Sequence, residues 1–320
     1  MHEELGRVGS RMLKMNEIIH DQNRDDRLDL LRAQRTYYRR AKRLQTMFLI
    51  LALILPWVGT IWGTDDPKIR PMLALTSIML LLFEIGLGTR VQRDWVKTAA
   101  RIQEQFDTEV FQLPWNQFVV GSKVDPEVIR AVTLKPITAA QRKKVEGWYE
   151  HCVGSIPLLL GRLICQRTNI TYDMRVRKAY ATGWLVLASV LIAFLMYRGV
   201  HEGLTFSDLL LNVIVPFIPL AAFVLREHRK QSDTVETLTT LKSEVDKLWA
   251  KALKTPSSAE LAQDSRNLQD AIYRNRTSNP LVYDWVYWLR RKLNEDLARH
   301  GAETLVADAQ HSLTSVKAAQ

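Results

Sequence analysis

The sequence predicts an all-α integral membrane protein with four transmembrane helices in two hairpins and a mainly helical cytosolic region. Apolar residues are concentrated in four blocks, the connectors inside each pair of blocks are too short to hold a domain, and Arg and Lys gather on one side of all four. The average composition hides this pattern, because the 24% of residues that are charged lie almost entirely between the blocks.

The first block, within 44–88, runs from Leu44 to Trp62 without a charged residue. At about 1.5 Å per residue it is long enough for a hydrocarbon core about 30 Å thick. The second runs from Pro71 to Gly88, with Glu84 its one charge. The third and fourth, within 181–225, run from Ala181 to Tyr197 and from Phe206 to Leu225. Gly63–Ile69 and Arg198–Thr205 close the two hairpins. Arg39, Arg40, Lys42 and Arg43 precede the first span, and Arg90, Arg93 and Lys97 follow the second. Arg175, Arg177 and Lys178 precede the third, and Arg226, Arg229 and Lys230 follow the fourth. The hairpin tips carry fewer basic groups and several acidic ones, so the positive-inside rule turns the tips outward. Both termini are then cytosolic, in a multi-pass membrane protein. Trp57, Trp62, Trp184 and Tyr197 fit interfacial anchors. Pro56, Pro216, Pro219 and Asn212 leave a static kink and a hinge both open, and Glu84 fits either snorkelling or a pore-lining position.

The rest is cytosolic. Residues 1–43 read as helices leading into the first span, with Arg32, Arg35, Arg39 and Arg43 at helical spacing. In the central segment, 89–180, a helix continues through Phe106 and breaks near Pro114, a loop with a short strand is expected around Val119–Pro126, and Pro126 opens a helix. In 226–300, Leu238, Leu241, Val245, Leu248 and Ala252 form a heptad stripe that needs a helical partner in the same or a neighbouring subunit. Ser257 or Ser258 can cap a helix from Ala259 to Arg276 bearing Leu261, Leu268, Ile272 and Tyr273. A last helix, Leu281–His300, carries Trp285, Trp288, Leu289 and Leu293; membrane-surface attachment and docking on the cytosolic region both account for them. Residues 301–320 are expected to form a flexible tail.

The formal charge of +10 is read as lipid-facing flanks, so no DNA or RNA polymer is expected as partner. Cys152 and Cys165 fall on the reducing side, where a disulfide is not expected, and the mixed-charge first 40 residues do not read as a cleavable signal. No phosphate-cradling Gly-rich loop, nucleophile elbow or zinc-ligand spacing occurs, so no enzyme, metal or resident cofactor is expected. Between Ala139 and Lys178, eight basic residues face three acidic ones, with aromatic residues interleaved. Guanidinium groups beside aromatic faces are what an anionic nucleotide requires. Trp148, Tyr149, Arg162, Arg167, Arg175 and Arg177 are accordingly the candidate binding residues.

Several stretches carry a resemblance. They are Ala33-Gln-Arg-x-x-Tyr-x-x-Ala-Lys42, Phe106-Asp-x-x-Val-Phe-x-Leu-Pro-Trp-Asn116, Trp148-Tyr149 and Cys165-Gln-Arg-x-Asn-x-x-Tyr-Asp-x-Arg175. Ile272-Tyr-x-x-Arg276 and the helix opening at Asp284-Trp285 complete them. With these, the chain resembles the bacterial four-transmembrane effector family (S-4TM) associated with synthases of nucleotide second messengers in CBASS-like anti-phage systems, to which pore formation is attributed. Tyr172 stands where tryptophan is frequent in that family. The resemblance implies an effector whose activating ligand is a cyclic di- or oligonucleotide second messenger. It implies a homo-oligomer in contact with membrane lipids that rearranges to permeabilise the inner membrane. A non-conducting scaffold or accessory subunit that docks a cytosolic partner is the alternative.

Overall fold

The computed structural model describes residues 16–62, the isolated positions 72, 75, 76, 78 and 79, and residues 82–318 apart from 202, 204, 210–214, 256 and 257. Among the described residues there are helices and connecting turns and no strand. The chain divides into two compact units, residues 17–151 and residues 152–318 with Asn16.

The first unit is built on two antiparallel helices, α1 (Asp25–Trp62) and α2 (Thr89–Val110). Helix α1 runs its 38 residues without interruption through Pro56. It therefore carries both the basic approach and the first apolar block as one rod, about 57 Å long at the usual helical rise. Apolar residues at helical spacing, among them Leu28, Leu31, Ile102, Phe106 and Val110, are buried along the shared face. Gln34 donates to Gln103 across that face at 2.9 Å, and Arg27 pairs with Glu109 at 2.6 Å. Phe48 meets Phe83 with ring centroids 6.0 Å apart, and a Cβ placed on Gly88 would come within 2.5 Å of the Phe48 ring. Only a residue without a side chain permits this approach. Glu84 lies in a π-helical turn, Glu84–Gly88, that leads into α2. Two short helices, α3 (Pro126–Thr133) and α4 (Ala139–Val145), pack against α1. Pro126 sits in the first turn of α3, and a capping box from Thr138 and Gln141 opens α4. Where a short strand was expected, Gln117–Val120 forms a single helical turn whose N-cap, Asn116, accepts from the Val119 N–H. The side-chain cap supplies the local hydrogen bond that a lone strand would have lacked.

The second unit begins with Asn16, whose side-chain amide donates to the carbonyls of Val153 and Ile156 beside Gly161. Helix α5 (Leu158–His201) runs antiparallel to α6 (Val215–Lys254), and α7 (Ala259–Ser278) and α8 (Asp284–Ala318) complete a bundle around their basal halves. Among the described residues α5 is the one helix long and apolar enough to cross a membrane, and only 12% of its most apolar window is buried. Val186, Val190, Ile192, Phe194 and Val200 stand exposed along it. The stripe on α6 finds its partner inside this unit. Leu238, Val245 and Ala252 are buried together with Trp249, in a helix packed on α5 and α7. Leu261, Leu268, Ile272 and Tyr273 are buried on α7, and Ser258 occupies its N-cap without a side-chain hydrogen bond. The segment expected as a flexible tail is helical to Ala318. Ala302, Val306 and Ala309 are buried, and Ser312 donates to the Leu253 carbonyl at the end of α6.

The connector of the first hairpin, Asn212 and Ser257 lie outside the described residues. Of the four expected spans, the one along α5 appears among the described residues as a helix long and apolar enough to cross a membrane.

Candidate functional site

The six residues singled out by charge and aromaticity divide between the two units. In the first, Tyr149 is 3% exposed. Its ring stacks near Phe106 at 6.2 Å and lies against Phe111 at 5.1 Å, and its hydroxyl donates to Asp107 at 2.6 Å. Gln22 closes the other side, accepting from the Tyr149 N–H at 2.7 Å and donating to its carbonyl at 3.2 Å. Trp148 is half-buried, edge-on to Phe106, with the Arg35 guanidinium 5.6 Å from its ring centroid. Both aromatic residues thus bind the 146–151 connector onto α2. The Phe-Asp and Trp-Tyr motifs of the sequence are the two halves of this contact.

The four arginines lie on α5 in the second unit. Arg177 is buried. It donates to Asp173 at 2.9 Å, to Gln231 of α6 at 2.8 Å and to the Pro280 carbonyl at 2.7 Å. Gln231 in turn donates to Glu227 at 2.9 Å and to the Leu281 carbonyl at 3.3 Å. The network ties α5, α6 and the α7–α8 connector together just below the third apolar block. Arg162 is also buried, and desolvation with the neighbouring charge of Arg266 lowers its pKa to about 10, so it stays charged at neutral pH. Close by, Gln166 donates to Gln269 and to the Ser265 carbonyl, and Ser265 donates back, which locks α5 to α7.

Arg167 and Arg175 are placed differently. Both are half-buried, and Arg175 donates to its own preceding turn, at the Thr171 carbonyl and hydroxyl. Its pKa is lowered by desolvation and then by the charge of Arg167, so the two guanidinium groups share one neighbourhood. Arg167 donates to Asp246 of α6 at 2.7 Å, and Lys242 donates to the same carboxylate at 2.5 Å. Burial pushes the Asp246 carboxyl up, but its hydrogen bonds from Arg167 and Lys242 outweigh this and hold it below the usual range. Asp246 lies in an open groove of about 510 Å³ along α6, lined also by Thr239, Lys242, Ser243, Lys247 and Ala250. All six lining residues stand on α6, so the groove is an open surface rather than an enclosed cleft. Lys247 pairs with Glu244 at 2.8 Å, so Arg167, Arg175, Lys242 and Lys247 stand against two carboxylates, Asp246 and Glu244; the patch stays cationic, and its hydroxyls are suited to phosphate oxygens. Lys242, Asp246 and Lys247 were hidden from the sequence reading by the apolar stripe they share a helix with. The i, i+4 spacing of Lys242 and Asp246, on the face next to that stripe, is the available signal.

A family model described as the SMODS-associating 4TM effector domain matches residues 16–305. The chain belongs to that family. The match runs through both units and ends within α8, so the effector domain comprises both the basal bundle and the apolar helix α5. A probable CBASS effector molecule of Bacillus cereus (strain VD146) is 24% identical over 294 residues, covering 87% of this chain and 95% of the relative. No solved structure matches the chain. Membership makes the protein a 4TM effector, and α5 supplies a helix apolar enough to cross a membrane.

Proposed function

We propose that this effector is a receptor and a membrane lesion in one chain, activated by a cyclic di- or oligonucleotide. The ligand binds the cytosolic groove beside Arg167, Arg175 and Lys242. Subunits then rearrange or oligomerise, and the inner membrane becomes permeable. The chain crosses that membrane four times in two hairpins, with both termini in the cytosol, and performs no catalysis.

The observation that carries this reading is the continuity of α5. Its basal half holds Arg167 and Arg175 beside the groove, and its distal half exposes Val186, Val190, Phe194 and Val200. A 44-residue helix spans about 66 Å, so both halves move as one body. Binding energy spent at the groove can reach the bilayer only if the two states of the bundle differ in contacts with the ligand. The Asp246 triad offers such a difference, because an incoming phosphate competes with the carboxylate for Arg167 and Lys242. The pin at Arg177 keeps α5 and α6 in register between groove and membrane.

Screening cyclic and linear nucleotides for thermal stabilisation of the detergent-solubilised protein tests the receptor half, since a ligand specific to the native state raises its apparent stability. Dye release from liposomes on adding the stabilising nucleotide tests the lesion half. Binding without release would favour the non-conducting scaffold.

A further inference from the structure

The start of α8 presents an apolar face that nothing in its own unit covers. Trp285, Trp288, Leu289 and Leu293 are 54%, 80%, 65% and 49% exposed. On the other side of the same turns, Val286 is buried against Val176 and Tyr180 of α5, with Val282 completing the cluster. Trp184 joins it through Tyr180, their ring centroids 6.0 Å apart, and meets Phe223 of α6 at 5.3 Å. The exposed tryptophans therefore stand at the level where α5 passes from its polar half to its apolar half. That level is also basic: Lys178 on α5, Arg226, Arg229 and Lys230 on α6, and Arg290 and Lys292 on α8 are all exposed. Between Trp285 and Leu293 there are three basic residues and no acidic one.

We propose that residues 285–293 form an interfacial anchor that lies in the headgroup layer of an anionic bilayer, beside the point where α5 enters it. The inference rests on the reading that α5 crosses that bilayer. A bilayer surface matches each part of the patch. Tryptophan is stable at the headgroup level with its ring in the apolar boundary, and the surrounding cations meet anionic lipid. A soluble partner would have to match the basic collar and also fit under the membrane at the same height. Because α8 continues along the bundle to Ser312, which reaches the Leu253 carbonyl at the far end of α6, the anchor ties the base of the bundle to the membrane surface through one helix. Opening of the bundle then either drags Trp285 and Trp288 through the headgroups or pivots about them.

The test uses the full chain in phosphatidylglycerol-containing liposomes made with or without lipids brominated near the headgroup. The emission lost in a Trp285→Phe/Trp288→Phe variant relative to wild type is the signal of these two side chains. The same subtraction with Trp184→Phe reports the start of the apolar part of α5. Phenylalanine keeps the apolar bulk, so both variants are expected to fold. The anchor predicts that the Trp285/Trp288 signal is blue-shifted and that brominated lipid removes most of it. A quenched Trp184 signal beside an unquenched, water-like Trp285/Trp288 signal overturns the anchor alone. A blue-shifted signal that lipid bromine does not quench also overturns it, and places a protein surface on the patch. If neither signal is quenched, the crossing of α5 falls too.

Discussion

Two kinds of arginine lie within sixteen positions of one another on α5, and burial separates their roles. Arg177 sits inside a closed network with Asp173, Gln231 and the Pro280 carbonyl. Arg177→Ala should cost about 2–3 kcal/mol, because the buried Gln231 loses its charged donor, while Asp173 is about a quarter exposed (26%) and keeps some solvation. Chemical unfolding in detergent, followed by helical circular dichroism, measures this. Arg167 is a quarter exposed and pairs with the still more exposed Asp246. Arg167→Ala should cost no more than about 1 kcal/mol in the same assay. Its effect belongs to ligand binding, where losing a charge-assisted contact to phosphate should weaken affinity about tenfold or more. Asp246 adds a pH dependence. Its pKa is depressed in the folded protein, so its contribution to stability is complete above the ordinary value of 3.8 and fades as pH falls below it. Asp246→Asn should flatten the acid limb of the unfolding profile and leave the neutral region nearly unchanged.

At the scale of elements, the close packing of α1 on α2 turns on Gly88. Gly88→Ala sets a Cβ against the Phe48 ring at 2.5 Å, in a place where Phe48 is itself buried. Overpacking of this kind costs about 1–3 kcal/mol, and Phe48→Leu should recover much of it. A double-mutant cycle on thermal unfolding would show the coupling directly. Elements also mark where the sequence could be read. Long apolar runs and helical spacing predicted the helices over 44–62, 181–197 and 259–276, because both signals survive averaging over many residues. The end of α8 was not legible. The expected helix ends at His300, and the residues buried just beyond it are Ala302, Val306 and Ala309. Small side chains pack a helix closely without producing an amphipathic signal strong enough to see. The functions of Tyr149 and Arg177 were hidden for a related reason. Composition shows that an aromatic ring or a cation is present, but only tertiary neighbours such as Asp107 and Gln231 show that it is already engaged.

The whole molecule joins a cationic groove, a long helix and an exposed apolar surface in a family defined as effectors. Segment boundaries drawn from hydropathy marked where the chain becomes apolar. The compact units instead follow contacts, which is why 17–151 holds α1 and α2 together and 152–318 holds α5 to α8. The candidate site was legible only in part for the same reason. Arg167 and Arg175 stood out in the basic stretch before the third apolar block, whereas Lys242 and Lys247 meet them only through folding. The account requires that occupation of this groove changes the barrier properties of a bilayer. The direct measurement is dye release from liposomes carrying the purified full chain, titrated with the cyclic nucleotide that stabilises it most, for wild type and for Arg167→Glu/Arg175→Glu. The account predicts release from wild type and a requirement for at least about tenfold more nucleotide in the variant. Release at the same nucleotide concentration in both proteins, or binding by wild type with no release, would contradict it.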